Sequence, residues 1–387
     1  MEFSRVQKVL IISFSVIHSD PRVMRQIRLL ENRFHITVAG FGRKPDAAVE
    51  FIDLTRPLTS RMTKVWWGVK LLLGFFESYY WNRDEVRSAQ DKIKPQAFDL
   101  IIANDIAALP LALRLAAGRP VLMDAHEYSP REFDDKWMWR ILFGRYHHDL
   151  CRRYLPKASG MLTVCRGIAD EYARHYGVAP EVVHNAPLDQ KLVPSPVQTG
   201  RIRLIHHGAA IRSRHLETMI DVMKHLDGRF TLDFMLVESD AAYMSDLRRK
   251  AAPDQRIRFI PAVPMSDICG TLNGYDMGIY LLPPVNFNHE HALPNKFFEF
   301  IQARLAVAIG PSPEMVRIVK AFDCGVVADS FKPEDLAGVI SAVSESTLIR
   351  YKSAADVAAA EVNYETGGRV LLQSVERLLT QAQHSTR

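Results

Sequence analysis

Short apolar runs alternate with longer helical patterns along almost the whole chain. Short apolar runs bounded by turn residues are typical of buried strands. Strands of a first unit are predicted at Val9–Phe14, His35–Phe41, Leu100–Ala103, Val121–Met123, Gly160–Val164 and Val182–Val183. Strands of a second unit are predicted at Ile202–His206, Phe230–Val237, Ile257–Ile260, Asp276–Leu282, Leu305–Ile309 and Cys324–Val327. Because apolar strands alternating with helices form parallel sheets covered on both faces, we predict an α/β fold with two parallel-sheet domains.

A proline-rich stretch separates the two sets of strands. Residues 186–200 contain three prolines and end in Thr-Gly, which is the composition of a linker. A length of 387 residues also favours two domains over one core. We therefore predict a first domain over 1–186, a linker over 187–200 and a second domain over 201–363. Two such domains enclose a cleft, and ligands of open parallel sheets bind beyond the carboxyl ends of the strands.

Composition narrows the class of protein. With 48% hydrophobic and 24% charged residues the chain is a folded protein. The net charge of +5 arises in residues 1–200, which hold 28 Lys and Arg against 22 Asp and Glu. This excess suits a phosphate-bearing partner or an anionic surface, and we expect no nucleic acid. Four scattered cysteines fit a reducing compartment.

Several common signatures are missing from the sequence. The apolar run Val9–Ile17 is followed by His-Ser-Asp-Pro and not by a small-residue cleavage site, so we interpret it as a first strand. No uninterrupted apolar run reaches the length of about 18 residues that a spanning helix needs. There is no GxGxxG, Walker or GxSxG motif, which argues against dinucleotide oxidoreductases and P-loop enzymes. Without an HExxH pattern or a convincing acidic pair, we expect no metal site.

The segment Asn288–Phe300, NHEHALPNKFFEF, carries the most informative motif. Asn295 follows a proline and begins a helix, whose free N–H groups favour a phosphate. Lys296 and Glu299 are three residues apart and share a helix face. Lys296 can neutralise a phosphate, and Glu299 can accept two hydrogen bonds from a ribose diol. The alternative is a buried helix with a Lys296–Glu299 ion pair.

Two further loops follow predicted strands. In HHGAAIRSRHLETMI, Gly208 permits close backbone approach, and Arg212 and Arg214 can reach an anion; solvated arginines on a plain turn are the alternative. If Arg214 and Lys296 both face the cleft, they can neutralise a diphosphate leaving group. In DAHEYSP, His126 stands where a catalytic loop is expected, although a hydrogen-bonded buried histidine explains it as well.

Residues 61–82 combine three tryptophans, two tyrosines and a short apolar body with Arg61, Lys64 and Lys70. Aromatic and basic residues around an apolar segment are typical of an interfacial helix. A second basic and aromatic stretch covers 137–154. We predict contact with a membrane or a lipid acceptor here, with internal helix packing as the alternative.

The chain resembles the retaining nucleotide-sugar glycosyltransferases of the GT-B class, specifically the family-four type of bacterial polysaccharide and glycolipid synthesis. The resemblance spans nearly the whole chain, and its motifs appear in the family's order. They are Ser19–Gln26 (SDPRVMRQ), Asp124–Pro130 (DAHEYSP), Val164–Val178 (VCRGIADEYARHYGV), Val182–Pro187 (VVHNAP), His206–Ile220 and Asn288–Phe300.

The resemblance implies two Rossmann-like domains, with the acceptor on the first and the donor on the second. It implies a final helix, within 364–387, that returns to the first domain. Lys296 and Arg214 would neutralise the diphosphate, Glu299 would hold the ribose, and His126 would lie near the transferred sugar. Further donor contacts are implied for Gly208, Arg212, Asn288, His289, Glu290, His291 and Asn295, and for Val263 in the loop against the base.

The sequence departs from the family pattern at three positions. Ala209 replaces a common arginine after the phosphate-loop glycine, His291 stands where many members have a second glutamate, and the usual glycine near Glu238 is absent. These departures concern the diphosphate and sugar contacts, not the fold.

We expect an enzyme that moves a hexose from a nucleotide diphosphate sugar to a lipid-linked or growing glycan acceptor, with retention and without a metal or other cofactor. The expected location is cytoplasmic, with peripheral contact at the inner membrane surface. A nucleotide-sugar epimerase on the same fold and a non-catalytic sugar-nucleotide-binding scaffold subunit are the alternatives. The base, sugar, acceptor, linkage and oligomeric state do not follow from the sequence.

Overall fold

A computed structural model describes residues 6–54, 60–95 and 97–385. The chain divides into two units. Unit 1 comprises residues 1–183, 286–288 and 367–387, and unit 2 comprises 184–285 and 289–366. The sequence predicted that the first domain ends at residue 186 and that the linker ends at residue 200.

Unit 1 is built on a parallel sheet, whose described strands run in the order β3-β2-β1-β4-β5-β6-β7. They are β1 Lys8–Val16, β2 His35–Phe41, β3 Glu50–Asp53, β4 Leu100–Asn104, β5 Val121–Ala125, β6 Gly160–Thr163 and β7 Glu181–Val182. In register, Val9 lies opposite Leu100 and Leu122 lies opposite Gly160. Residues 9–12 of β1 are fully buried, because helices cover both faces of a parallel sheet.

Unit 2 repeats this architecture, and its described parallel strands run in the order β10-β9-β8-β11-β12-β13. They are β8 Ile202–Ala209, β9 Phe230–Val237, β10 Ile257–Ile260, β11 Met277–Tyr280, β12 Ala306–Ile309 and β13 Gly325–Val327. Two apolar clusters line the two faces of this sheet. The α/β prediction with two parallel-sheet domains is confirmed.

Helices connect the strands in both units. Before the second sheet they are α1 Pro21–Leu30, α2 Arg61–Leu72, α3 Phe76–Trp81, α4 Asp84–Lys92, α5 Leu109–Ala116, α6 Trp137–Trp139, α7 Arg145–Tyr154 and α8 Arg166–Tyr176. After β8 they are α9 Glu217–Met223, α10 Ala241–Ala251, α11 Ile268–Leu272, α12 Phe287–Glu290, α13 Asn295–Gln302, α14 Pro313–Phe322, α15 Pro333–Ser341, α16 Glu345–Glu361 and α17 Tyr364–Ser385. Most of α17 belongs to unit 1, where Arg377 pairs with Glu181 of β7. Residues 386 and 387 of the predicted final helix lie outside the described residues.

Residues 186–198 contain no helix or strand, yet they are held against unit 2. Ser195 donates to the carbonyl of Asn273, and Gln190 N donates to Gln302. Arg304, which is 4% exposed, bonds Asp189. The proline-rich composition therefore marks an extended segment whose polar groups are fixed by side chains of unit 2.

The aromatic segment 61–82 is not one interfacial helix. Helix α2 ends at Leu72, Gly74 has φ +77°, and α3 begins at Phe76. In α2 and the following turn Trp66 is 59% and Leu73 is 66% exposed, whereas Tyr80 of α3 is fully buried. Among the described residues, the exposed large apolar side chains of the segment therefore lie in α2 and in the turn after it, as far as Phe75. The side chain of Arg61 lies outside the described set.

Among the described residues, no helix combines the length and apolarity needed to cross a bilayer.

Candidate functional site

Helix α13 positions the predicted lysine and glutamate. Pro294 precedes it in an extended conformation, and Phe297, Phe298 and Phe300 are fully buried. The ring of Phe300 occupies the space where a Cβ at Gly278 of β11 would stand. Because this strand position is glycine, the helix packs closely on the sheet and carries Lys296 beneath the end of β8.

The Lys296 ammonium lies in a cradle of three neighbours. Its Nζ is 3.2 Å from Nε2 of His206 and 5.0 Å from the ring centre of Tyr280. Gly208 closes the third side with φ +119°, and a Cβ there would stand 3.1 Å from Nζ. Glycine at 208 therefore gives the backbone its left-handed conformation and leaves room for the ammonium.

The tautomer of His206 explains its contact with the lysine. Nδ1 is 2.9 Å from the carbonyl oxygen of Ile279, which can only accept, so Nδ1 carries the proton. Nε2 is then left with a lone pair and accepts from Lys296. Burial, followed by the charge of Lys296, lowers the pKa of His206 well below its usual value. The imidazole is therefore neutral at pH 7.

Lys296 is a buried cation that lacks a counter-ion. Its residue is 6% exposed, and within the described residues no carboxylate lies at ion-pair distance from Nζ. Burial lowers the pKa of Lys296 to about 7, the charge of Arg214 lowers it further, and Glu299 opposes both. The Lys296–Glu299 ion pair of the alternative interpretation does not form, because Lys296 faces His206 and Glu299 faces His207.

Arg214 supplies a second positive charge at this place. It ends a 3₁₀ turn, Arg212–Arg214, that follows β8. Its charge acts on Lys296, His206 and Tyr280, and it forms no ion pair with any residue that the structure describes. Two positive charges that have no carboxylate partner among the described residues make this place suited to an anion, since an unpaired buried charge is costly unless a ligand neutralises it.

Glu299 lies beside a buried histidine. Its Oε2 is 3.3 Å from Nε2 of His207, which is 3% exposed, but this Nε2 has no hydrogen-bond partner among the described residues. Burial and the charge of Lys296 lower the pKa of His207 to about 3, so this ring is neutral and leaves the carboxylate charge uncancelled. The carboxylate therefore remains able to accept hydrogen bonds from a diol.

The remaining predicted donor contacts lie in varied environments. Arg212 pairs with Asp246 at 3.1 Å and stacks over the ring of Tyr243. His291 is 3.8 Å from Glu314, and Asn295 accepts a hydrogen bond from Asn185. His289 and Val263 are partly buried, and Glu290 is exposed.

Asn288 has a structural contact in unit 1. Its Oδ1 accepts from Tyr128 N at 2.8 Å and its Nδ2 donates to Tyr128 O at 3.3 Å. The side-chain amide of Asn288 thus bonds both the N–H and the carbonyl of Tyr128, the residue that follows the DAHE loop.

A buried polar network supports the DAHE loop. Arg22 of α1 donates two hydrogen bonds to Asp124 and a third to the carbonyl of Val183. Gln26, one helical turn on, also donates to Asp124 and accepts from Asn104. Burial alone would raise the pKa of Asp124, but Arg22, His126 and Gln26 hold it below its usual value.

His126 is at the exposed end of this network. Its Nε2 is 3.0 Å from Asn104 Oδ1, and its Nδ1 is 3.4 Å from Asp105 Oδ2. The backbone N–H of His126 also donates to Asp105, whose φ of +61° turns the loop toward it. The imidazole is therefore held between two loops that follow β4 and β5.

A pocket of about 280 Å³ opens beside His126. Burial raises the pKa of Glu127 and of Glu132 to about 7 each, and Asp105 adds to both shifts. Burial lowers the pKa of His147, which also lines the pocket, to about 4. A pocket lined by carboxyls and imidazoles can bind several hydroxyl groups, as a sugar ring requires.

Residues 22–186 match the model of Glycosyltransferase Family 4. The match covers less than half of the chain and shows a likeness to that family in this region. The matched region contains Arg22, Asp124 and His126. Among curated proteins, none matches the chain significantly.

Solved structures resemble the fold of the whole chain. HepE of Anabaena, in complex with UDP-glucose, is 14% identical with a TM-score of 0.66, covering 96% of this chain and 100% of its own. Sucrose-phosphate synthase from Thermosynechococcus elongatus is 13% identical with a TM-score of 0.69, covering 97% and 100%. An α,α-trehalose-phosphate synthase (UDP-forming) from Burkholderia vietnamiensis is 10% identical, with a TM-score of 0.69 and coverage of 97% and 100%. The fold is therefore GT-B, as the sequence predicted.

The sequence did not reveal the groups that lie against the predicted residues. His206 and His207 precede Gly208, but only the structure shows that His206 bonds Lys296 and that His207 lies beside Glu299. Arg22 and Gln26 are four residues apart on one helix face, and this spacing was the available signal. Their common partner, Asp124, lies 98 residues beyond Gln26, so pairing could not be deduced from local pattern.

Proposed function

We propose that this protein is a glycosyltransferase that takes a sugar from a nucleotide diphosphate sugar bound to unit 2. The observation that carries the proposal is the pair Lys296 and Arg214, two cations without a described counter-ion beside Gly208. We assign Glu299, which lies beside His207 on the same helix as Lys296, the role of accepting hydrogen bonds from the two ribose hydroxyls. The UDP-glucose bound by HepE supports a donor of this chemical class.

The proposed chemistry separates the sugar from the diphosphate. As the glycosidic C–O bond breaks, negative charge grows on the leaving phosphate, and Lys296 and Arg214 stabilise that charge more in the transition state than in the ground state. Losing one such contact costs about 3 kcal/mol of barrier. Two protein cations can do the neutralising work that a metal ion does elsewhere, so we propose a metal-independent reaction.

We further propose that configuration is retained. The leaving phosphate oxygen would take the acceptor's hydroxyl proton on the face from which it departs, while the acceptor oxygen attacks that same face. No second carboxylate on the opposite side is then needed. The acceptor would bind unit 1, with its sugar hydroxyls in the pocket beside His126.

A lipid-linked acceptor and a peripheral location at the inner face of the cytoplasmic membrane also belong to the proposal. Helix α2 packs against the π-helical turn Arg140–Gly144, which directly follows α6. Helix α2, α6 and this turn expose apolar side chains: Met62 84%, Val65 69%, Trp66 59%, Trp137 64%, Met138 56% and Ile141 48%. Lys64 of α2, Arg140 of the turn and Arg145 at the start of α7 are also exposed and complement an anionic lipid surface.

An epimerase is the second candidate, since Glu127 and Glu132 have the raised pKa values that proton transfer at a sugar carbon needs. A product assay separates the two. Nucleotide sugars that raise the melting temperature are incubated with glycan or lipid-linked acceptors, and both products are analysed. Free epimerised nucleotide sugar formed without acceptor would contradict the transferase, and a protein that binds donor but makes neither product would be the scaffold subunit.

A further inference from the structure

A second pocket in unit 1 is lined by basic residues that the chemistry above does not use. It has a volume of about 680 Å³. Its walls come from the turn after β1, the exposed side of α1 and the loop between β2 and β3. The lining residues are His18, Met24, Arg28, Arg43, Lys44, Pro45, Asp46 and Ala47.

The loop that carries Arg43 and Lys44 is held in shape by hydrogen bonds. Ala48 N donates to Glu31 at 2.8 Å, and Ala47 N donates to Pro45 O at 3.0 Å. Gly42 turns the chain with φ +91°, and a Cβ there would meet the ring of His18 at 3.2 Å. The bond of Ala48 ties the far end of this loop to the end of α1, which limits the backbone ordering needed when a ligand binds.

The charges of this pocket are not neutralised by the protein. Arg28, Arg43 and Lys44 form no ion pair with any described residue, whereas Arg22, Arg33 and Arg83 of the same unit are all paired. Asp46 is the one carboxylate in the lining, and it forms no described ion pair either. Three permanent positive charges against one negative charge leave the pocket cationic, in keeping with the basic excess of residues 1–200.

The basic pocket lies next to the His126 pocket along the sheet. The end of β1 and the turn after it contribute to both pockets. Ser13 and Ser15 line the His126 pocket, and His18 lines the basic pocket. Their other walls follow β4 and β2, the two neighbours of β1. Adjacent strands are about 4.8 Å apart, so β2 and β4, which these walls follow, are roughly 10 Å apart. That spacing suits one ligand with a sugar at one end and a phosphate at the other.

We propose that the basic pocket binds the phosphate or diphosphate group of the acceptor, while the acceptor sugar occupies the His126 pocket. This inference rests on the proposed glycosyltransferase function and names the acceptor class as a glycosyl phosphate or diphosphate. Arg28 and Arg43 can each donate two hydrogen bonds to phosphate oxygens, and Lys44 adds a point charge. The group can belong to a soluble sugar phosphate or to a lipid carrier.

The test is a calorimetric titration with inorganic pyrophosphate. Because unit 2 is expected to bind pyrophosphate too, the titrations use Arg214→Gln/Lys296→Gln as the background. We expect binding in that background and a loss of at least tenfold in affinity when Arg43→Gln/Lys44→Gln is added. The matched control adds Lys94→Gln/Arg119→Gln, which removes the same charge from exposed residues of unit 1 and is expected to change affinity less than threefold.

The outcomes separate this inference from the proposed function. The basic pocket would be overturned if pyrophosphate did not bind Arg214→Gln/Lys296→Gln. It would also be overturned if the Arg43/Lys44 pair and the control pair lowered the affinity equally. Neither result would count against the donor site of unit 2. A wild-type protein whose affinity is unchanged by Arg214→Gln/Lys296→Gln would instead count against the donor site. Cosedimentation with phosphatidate vesicles, against phosphatidylcholine vesicles, tests the lipid source. Phosphatidate binding without pyrophosphate binding would overturn the pocket in favour of a flat anionic surface.

Discussion

Lys296 Nζ lies 3.2 Å from Nε2 of His206, and the same ring is anchored through Nδ1 to the carbonyl of Ile279. The histidine therefore orients the lysine without carrying charge. A buried lysine held by a neutral acceptor is more easily deprotonated than a lysine in water, because burial disfavours its charged form. An incoming diphosphate would reverse this situation, since it supplies the missing negative charge.

We predict that diphosphate binding is coupled to proton uptake by Lys296. Its pKa is lowered to about 7 in the unliganded protein, and a bound anion raises it. Above that pH binding must take up a proton, so affinity should fall by up to about tenfold per pH unit as the pH rises. Calorimetry in buffers of different ionisation enthalpy measures this uptake. In Lys296→Gln the part of the pH dependence of affinity that Lys296 causes should disappear. An unchanged pH dependence in that variant would contradict proton uptake by Lys296.

Glu299→Ala is expected to abolish discrimination between ribose and its deoxy analogues. Loss of two hydrogen bonds to a carboxylate corresponds to about 1–3 kcal/mol, or roughly ten- to a hundredfold in affinity. The wild type should bind a nucleoside diphosphate more tightly than the 2′,3′-dideoxy compound, whereas the variant should bind both equally. Discrimination that survives in Glu299→Ala would place the diol elsewhere.

Gly208→Ala should weaken both stability and diphosphate binding. The new Cβ would stand 3.1 Å from Lys296 Nζ, at a φ of +119° that costs an alanine about 1–3 kcal/mol. Gly228→Ala is the control, because no atom lies within 4 Å of its Cβ position. Thermal unfolding and diphosphate titration of the two variants measure the difference, and equal behaviour would show that the Gly208 loop does not close over the lysine.

Asp124→Asn should destabilise unit 1 strongly. Arg22 is 6% exposed, and removing the charge of its partner leaves a buried cation, which typically costs about 3–5 kcal/mol. Since the folded pKa of Asp124 is below 3.8, this stabilisation is present at neutral pH and is lost as the pH falls below that value. Asp227→Asn, in the exposed pair with Arg229, is expected to change unfolding by urea very little. A similar change in the free energy of unfolding in both variants would refute the idea that the Arg22–Asp124 network stabilises unit 1.

Trp66→Ser/Leu73→Ser should reduce sedimentation with phosphatidylglycerol vesicles. These side chains are 59% and 66% exposed on and after α2. The control is Val237→Ser/Met265→Ser, which changes exposed apolar residues of unit 2. Vesicle binding that is lost to the same extent in both variants, or in neither, would argue against α2 as the membrane contact.

The strands were largely predictable because buried parallel strands are continuous apolar runs. His35–Phe41, Phe230–Val237 and Ile257–Ile260 have the predicted bounds. Strand β3, Glu50–Asp53, was missed, since it lies at the sheet edge, is short and is partly exposed, so no apolar run marks it.

The candidate site was less predictable than the fold. Helical spacing placed Lys296 and Glu299 on one face, but an ion pair between them fitted that spacing equally well. Their true partners, His206 and His207, are adjacent in a strand and are about 90 residues away in sequence. Such long-range pairing depends on the docking of α13 over Gly278, which no local pattern encodes.

Titration of nucleoside diphosphates into the wild type and into Arg214→Gln/Lys296→Gln tests the central claim most directly. Glutamine at 296 still donates to His206, and Arg201→Gln/Lys320→Gln removes equal charge from exposed residues of unit 2 as the control. We predict that one nucleoside diphosphate binds the wild type and the control alike, and that the site variant loses about a hundredfold in affinity at an unchanged melting temperature. Equal affinity in all three proteins, or no binding of any nucleoside diphosphate to the wild type, would contradict the donor site.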